Sequence, residues 1–214
     1  MSTPRHRTAP GSSYFVTTKC WQGRCVFQMP ETAQILVETL LHYRDEKAYF
    51  LHEFVLMPDH LHLLITPSAS ASLEKAVQLI KGGSSRCIHK QGNQAIEIWQ
   101  KGFYDWTIRD ANDWNARVQY IRMNPVRAKL VDQTGDWPYS SAGDRFAMDP
   151  TPRRYSSVPS GAEAPSMQAI MAGLKPRPPE GLSSSAQTPT AQTGTLASRA
   201  NSSKANPSDG GSRG

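Results

Sequence analysis

The stretch Met57-Pro58-Asp59-His60-Leu61-His62-Leu63-Leu64-Ile65 decides the fold. Pro58-Asp59 is a turn signal, and the apolar run behind it has the character of a strand. Side chains alternate along a strand, so residues two apart share a face. His60 and His62 therefore point one way, and Leu61, Leu63 and Ile65 the other. The apolar face needs a cover. The other face carries either two hydrogen-bonded surface histidines or half of a metal site. Upstream, Tyr49 to Met57 alternates Phe50, Phe54 and Leu56 with intervening residues, and the short connection makes the two strands a hairpin.

Further elements extend from this hairpin on both sides. Tyr14 to Lys19 is β-branched and aromatic, which predicts a strand. Pro30 opens a helix whose Ala33, Leu36, Val37, Leu40 and Leu41 keep helical spacing to about Asp45. Ser70 or Ser72 caps another, marked by Leu73, Ala76, Val77 and Ile80 and reaching about His89. Gly82-Gly83 is expected to interrupt it. Phe103 to Ile108 reads as a fourth strand. Asp110 or Asn112 caps a last helix with Trp114, Val118 and Ile121 on its buried stripe. Asn124-Pro125 is expected to break or kink that helix, leaving Val126 to Val131 as a short helical piece. The order β-α-β-β-α-β-α is an α+β class. It predicts the ferredoxin-like split β-α-β arrangement, a four-stranded antiparallel sheet with helices on one face, plus an extra C-terminal helix.

The 214 residues are unevenly apolar, and only 38% are hydrophobic overall. From Ala147 onward lie nine of the sixteen prolines, twelve serines and a single aromatic, Tyr155. Such a segment buries too little apolar surface to offset its ordering entropy. The expected organisation is a loose arm over 1–12, one folded domain over 13–146 and a disordered tail over 147–214. The net charge is +6, and Lys75 to Lys129 alone holds ten Lys/Arg against four Asp/Glu. That concentration suits an anionic partner, nucleic acid first. Three cysteines without a CxxC pair argue for free thiols in a reducing compartment. There is no signal-peptide pattern, and no apolar run approaches the roughly 18 residues of a membrane span. A soluble, cytoplasmic protein without a membrane partner is expected.

Tyr120 and Asn124 are four apart in the last helix and project from one flank, with Arg117 beside them. This helix is able to lay a phenol and an amide against the face that carries the histidines. A phenol beside Mg²⁺ or Mn²⁺ suggests phosphoryl transfer, with the metal polarising a phosphodiester and the tyrosine oxygen attacking it. Each part has a plain structural alternative. Tyr120 fits as a cap on the core edge, and Asn124 fits as the N-cap of the piece that Pro125 opens. Asp59 reads first as a turn former facing away from His60. His42, His52 and His89 have no partners at ligand spacing and read as structural.

Phe54-Val-Leu-Met-Pro-Asp-His-Leu-His-Leu-Leu64 resembles the His-hydrophobic-His motif of the single-tyrosine HUH transposases. Tyr120-Ile-Arg-Met-Asn-Pro-Val-Arg-Ala-Lys-Leu-Val131 resembles their nucleophile segment. Gln78 to Arg86, Trp99 to Asp110 and Trp137-Pro-Tyr-Ser-Ser141 fit the same group, in particular the REP-associated tyrosine transposases. The resemblance covers about residues 12–143. It implies a metal-dependent endonuclease and strand transferase acting on hairpin-bearing single-stranded DNA through a 5′-phosphotyrosine. It implies Tyr120 as nucleophile, and His60, His62 and Asn124 as ligands of Mg²⁺ or Mn²⁺. It further implies DNA contacts from Lys81, Arg86, Trp99, Phe103, Arg117, Arg122 and Arg127. A monomer or homodimer associated with the nucleoid follows from the same likeness. The rival is a regulator on the same fold that binds DNA or RNA hairpins without cutting. Because metal binding needs neutral imidazoles, activity is expected to fall below about pH 6.

Overall fold

The computed structural model describes residues 8–92 and 96–156. Most of the expected tail, 157–214, and residues 1–7 of the expected arm lie outside them. The elements are β1 (Tyr14–Lys19), α1 (Pro30–Asp45), β2 (Tyr49–Met57), β3 (His60–Pro67), α2 (Leu73–Gly92), β4 (Tyr104–Thr107) and α3 (Ala111–Arg127). The strands form one antiparallel sheet in the order β2-β3-β1-β4, the split β-α-β arrangement that the sequence predicts.

Alternation sorts the two faces. Val16, Leu51, Phe54, Leu56, Leu61, Leu63 and Ile65 pack under α1 and α2. Phe15, Val55, Met57 and Leu64 pack under α3, against Trp114 and Ile121. The helix α1 shows which force dominates. Its N-cap is Met29, which makes no side-chain capping bond, and a missing cap costs about 1 kcal/mol. Leu36 and Leu40 are fully buried, each worth roughly 1.5–3 kcal/mol. Burial outweighs the absent cap.

Four local expectations are corrected. First, α2 runs unbroken through Gly82-Gly83. Gly83 is there because α1 passes close: a Cβ on it would sit 2.8 Å from Tyr43 Cε2 and 3.1 Å from Thr39 Cγ2. Gly82 faces open space. Gly82→Ala is therefore expected to raise stability by up to about 1 kcal/mol. Gly83→Ala is expected to lower it, because overpacking costs about 1–3 kcal/mol. Thermal unfolding of the two variants decides this, and two equal shifts would contradict the close approach.

Second, α3 also continues, through Pro125 to Arg127. Pro125 and Ile121 are buried against the sheet, and this burial holds a helix that has lost one backbone bond. The chain turns out only at Lys129, in the left-handed region at φ 57. Third, β2 carries a bulge at His52, so Leu51 pairs with Ile65 and Glu53 with Leu64. This moves Phe50 to an exposed position and Leu51 into the core. Fourth, the packed domain runs past residue 146. Asp149 accepts from the Leu51 N–H and from Arg44 Nε, at 2.7 and 2.9 Å. Tyr155 is buried beneath α3, stacked on Trp114 with ring centroids 4.9 Å apart. At the other end, Thr8 Oγ1 accepts from the Leu73 N–H at 2.8 Å and so opens α2.

Candidate active site at the histidine pair

The tight turn between β2 and β3 is pinned from outside. Asp59 O accepts from the Cys20 N–H at 2.7 Å and Pro58 O from the Phe27 N–H at 2.9 Å. His60 and His62 then leave the turn on the α3 side of the sheet, with ring centroids 4.8 Å apart. His60 Nδ1 donates to the Asp59 carboxylate at 2.6 Å, so that contact engages Nδ1 and not Nε2. Asp59 is thus more than a turn former, and it turns toward His60 rather than away.

His62 lies opposite Thr17 in the β1–β3 register. Its Nδ1 shares a 2.8 Å hydrogen bond with Thr17 Oγ1, and its ring stacks on Phe15. It is 4% exposed, yet Nε2 has no hydrogen-bond partner among the described residues. A buried, unsatisfied imidazole nitrogen is costly, and this one belongs to the residue expected to bind a metal. Burial, with the charges of His60 and Lys19 beside it, holds the His62 imidazole well below its usual range. Burial keeps it neutral to lower pH than an ordinary histidine.

Across from this pair stands Tyr120 on α3, edge-on to His62 with ring centroids 5.1 Å apart and edge-on to Phe15 at 5.6 Å. Burial raises its phenol above the ordinary value, while an Asn124 hydrogen bond and the charges of Arg127 and Arg117 pull it back. Asn124 sits inside the continuous α3, so the N-cap alternative is gone, and it lies one turn from Tyr120 on the same flank. Arg127 is exposed and stands over the Tyr120 ring, 5.9 Å from its centroid. The structure therefore brings His60, His62, Tyr120, Asn124 and Arg127 together.

The other expected DNA contacts are dispersed. Arg86 is exposed on α2. Trp99 is 6% exposed, packs on Phe27 and donates to Ser84 Oγ at 3.1 Å; it is a core residue, not a free stacking platform. Phe103 is half-buried against the same core. Lys81 Nζ donates to Gln100 O and Gly102 O, both at 2.6 Å, so its charge fastens the loop before β4. Arg117 is 3% exposed, bonded to Asp113 at 3.3 Å and layered over Trp106 and Phe15. Arg122 is paired with Glu53. Thr17, Phe15 and Glu53 were not expected at the site. Antiparallel register would have found Thr17, but nothing in the sequence states that register. Among the described residues no group of three His, Cys, Asp or Glu side chains is placed to hold a metal, and no helix is long and apolar enough to cross a membrane.

A split β-α-β sheet with a paired-histidine face, closed by a helix that carries a tyrosine, is the arrangement expected of a tyrosine transposase domain. The family described as "Transposase IS200 like" matches residues 14–124. That is just over half of the chain, and the chain belongs to this family, whose members act in DNA transposition. It is similar to the REP-associated tyrosine transposase of Escherichia coli (strain K12), 27% identical over 142 residues, 66% of this chain and 82% of that one. It is similar also to a Haemophilus influenzae protein described as a putative REP-associated tyrosine transposase, 32% identical over 96 residues, 40% of this chain and 54% of that one. The fold matches the solved structure of a REP-associated tyrosine transposase bound to a REP hairpin. The TM-score is 0.57 at 22% identity, covering 78% of this chain and 100% of that one.

Proposed function

We propose that the chain is a metal-dependent endonuclease and strand transferase for hairpin-bearing single-stranded DNA, with Tyr120 as the nucleophile. The observation that carries this reading is the apposition of the Tyr120 ring to His62, whose buried Nε2 has no hydrogen-bond partner among the described residues. The donor set fits a divalent cation. Both imidazoles have Nδ1 engaged, by Asp59 and Thr17, which directs Nε2 of each to a ligand. Asn124, one turn from Tyr120 on the same flank of α3, would offer its carbonyl oxygen for a third coordination position. Three neutral donors leave the ion's charge undiminished. When bound, Mg²⁺ or Mn²⁺ supplies Lewis-acid polarisation of the phosphate.

The protein's own part is to hold the phenol against the histidine pair. Tyr120 Oη attacks phosphorus in line, forming a Tyr–O–P bond as the bond to the 3′ oxygen breaks. The phenolic proton passes to solvent, and the departing 3′ oxygen leaves as a hydroxyl after taking a proton. The product is a 5′-phosphotyrosine, from which another 3′-hydroxyl releases the enzyme and joins the strand. Arg127, exposed over the ring, is placed to meet the phosphate. The hairpin substrate class is supported by likeness to the relative solved with one, and nucleoid association follows from it.

The test uses the full chain with a hairpin-bearing single-stranded oligonucleotide labelled on the 3′ side of the scissile phosphate. With Mn²⁺, a covalent protein–DNA adduct stable to denaturation is expected. Chelation should abolish it and added Mn²⁺ restore it. Tight hairpin binding with no adduct at any metal concentration would instead identify a non-cleaving regulator.

A further inference from the structure

Glu53 is a carboxylate buried to 6% exposure in a strand that could have carried an apolar residue. Alternation with Val55 and Met57 turns it onto the α3 face, opposite Leu64. It accepts from two sides. Ser141 Oγ donates to one oxygen at 2.6 Å, and Arg122 donates to the other from Nε at 3.1 Å and Nη2 at 2.5 Å. Ser141 belongs to the Trp137–Ser141 strap, which runs along the outer edge of β2. There Trp137 Nε1 donates to Leu56 O at 2.8 Å, the Leu56 N–H donates to Tyr139 O at 2.9 Å, and the Ser141 N–H donates to Phe54 O at 3.0 Å. Glu53 is withdrawn from water while Arg122 stays half in solvent, and an apolar residue at 53 would pack there with no charge to satisfy.

The geometry of α3 gives the pair a use. At 100° per residue, Tyr120 and Asn124 lie about 40° apart, and Arg122 lies about 160° from each. Ile121 and Pro125, the buried seat of the helix, fall between the two flanks. An apolar seat fixes the height of a helix better than its roll. A charged anchor on one flank fixes the roll, and with it the opposite flank that carries the phenol and the amide. We propose that Glu53, Arg122 and Ser141 form a clasp that sets the roll of α3 over the histidine pair. The strap at 137–141, which lies beyond the matched family segment, is thereby part of what positions Tyr120. Arg122 acts as a positioning residue and not as a phosphate contact. This inference rests on Tyr120 being the nucleophile.

The test compares wild type with Arg122→Gln, Arg122→Lys and Ser141→Ala. Three quantities are measured: the single-turnover cleavage rate at saturating hairpin DNA, the Kd for that DNA against salt, and hydrogen exchange of amides 118–127. Arg122→Gln should slow cleavage roughly ten- to a hundredfold, the cost of a displacement near 1 Å. It should leave Kd and its salt slope unchanged and speed exchange in α3 but not in α1. Arg122→Lys should recover part of both effects. Ser141→Ala, which keeps the ion pair, should reproduce them in smaller degree, and it stands in should Arg122→Gln fail to fold. Weaker binding with a salt slope lower by about one phosphate would make Arg122 a DNA contact and overturn the proposal. Unchanged rate and exchange in Ser141→Ala would also overturn it. Were wild type to form no adduct, the role of Tyr120 would fall, and exchange in α3 would still decide the clasp.

Discussion

Tyr120→Phe is expected to form no covalent adduct with hairpin DNA and to lose cleavage by a factor on the order of 10⁶, the scale seen when a covalent nucleophile is removed. The change deletes one oxygen and keeps the ring, whose edge contacts with Phe15 and His62 hold its place. The fold should survive, because only one oxygen of a half-buried residue is removed and the ring contacts stay in place. Hairpin affinity should stay close to wild type, since the ring makes no charge contact with phosphate. The sharp outcome is the adduct itself, read by mass after denaturation. The obvious substitute is Tyr104, which lies in the same strand row as Thr17 and His62. Its phenol is also raised by burial, with Arg117 lowering it in part. An adduct that persists in Tyr120→Phe and maps to Tyr104 would move the nucleophile to the sheet and remove α3 from the chemistry.

What could be read from the sequence was set by periodicity. The alternation Leu61, Leu63, Ile65 placed β3, chose its buried face and left the histidines on the other, where α3 covers them. Signals that depend on a neighbour were misread. Gly82-Gly83 resembles a helix break until α1 is present to explain the missing Cβ of Gly83. Asn124-Pro125 resembles a helix boundary until Ile121 and Pro125 are seen buried on the sheet. Trp99 beside a basic segment resembles a base-stacking platform, but its indole N–H is satisfied inside the core by Ser84. Basic side chains misled for the same reason. Composition counts Lys81, Arg117 and Arg122 as surface charge, while each is spent on an internal acceptor. Tyr155 is an isolated aromatic in a proline-rich stretch, and no pattern around it announces that it docks under Trp114.

The second large effect belongs to His62. His62→Ala should abolish measurable Mn²⁺ binding by the DNA-free protein, followed by the paramagnetic signal of the free ion. Thr17→Val, which removes only the partner of Nδ1, should weaken binding about 10–100-fold, as loss of an outer hydrogen bond to a ligating histidine does. The same residue leaves a mark on stability in metal-free buffer. Unfolded, His62 titrates near 6.5; folded, burial keeps it well below that. Between those values the unfolded chain takes up a proton that the folded chain refuses. The contribution of His62 is therefore full above about pH 6.5 and is lost as pH falls toward the folded value, by at most about 1.4 kcal/mol per pH unit. His52, buried between Asp149 O and Thr66 Oγ1, is lowered for the same reason and adds in the same direction. In His62→Ala, urea unfolding between pH 5 and 7 should lose the share of His62 and keep that of His52, so the acid limb becomes shallower without becoming flat. An unaltered Mn²⁺ isotherm would remove His62 from the metal. An unaltered acid limb would mean that the imidazole is not held neutral by burial, and the apparent availability of its Nε2 would lose its physical basis.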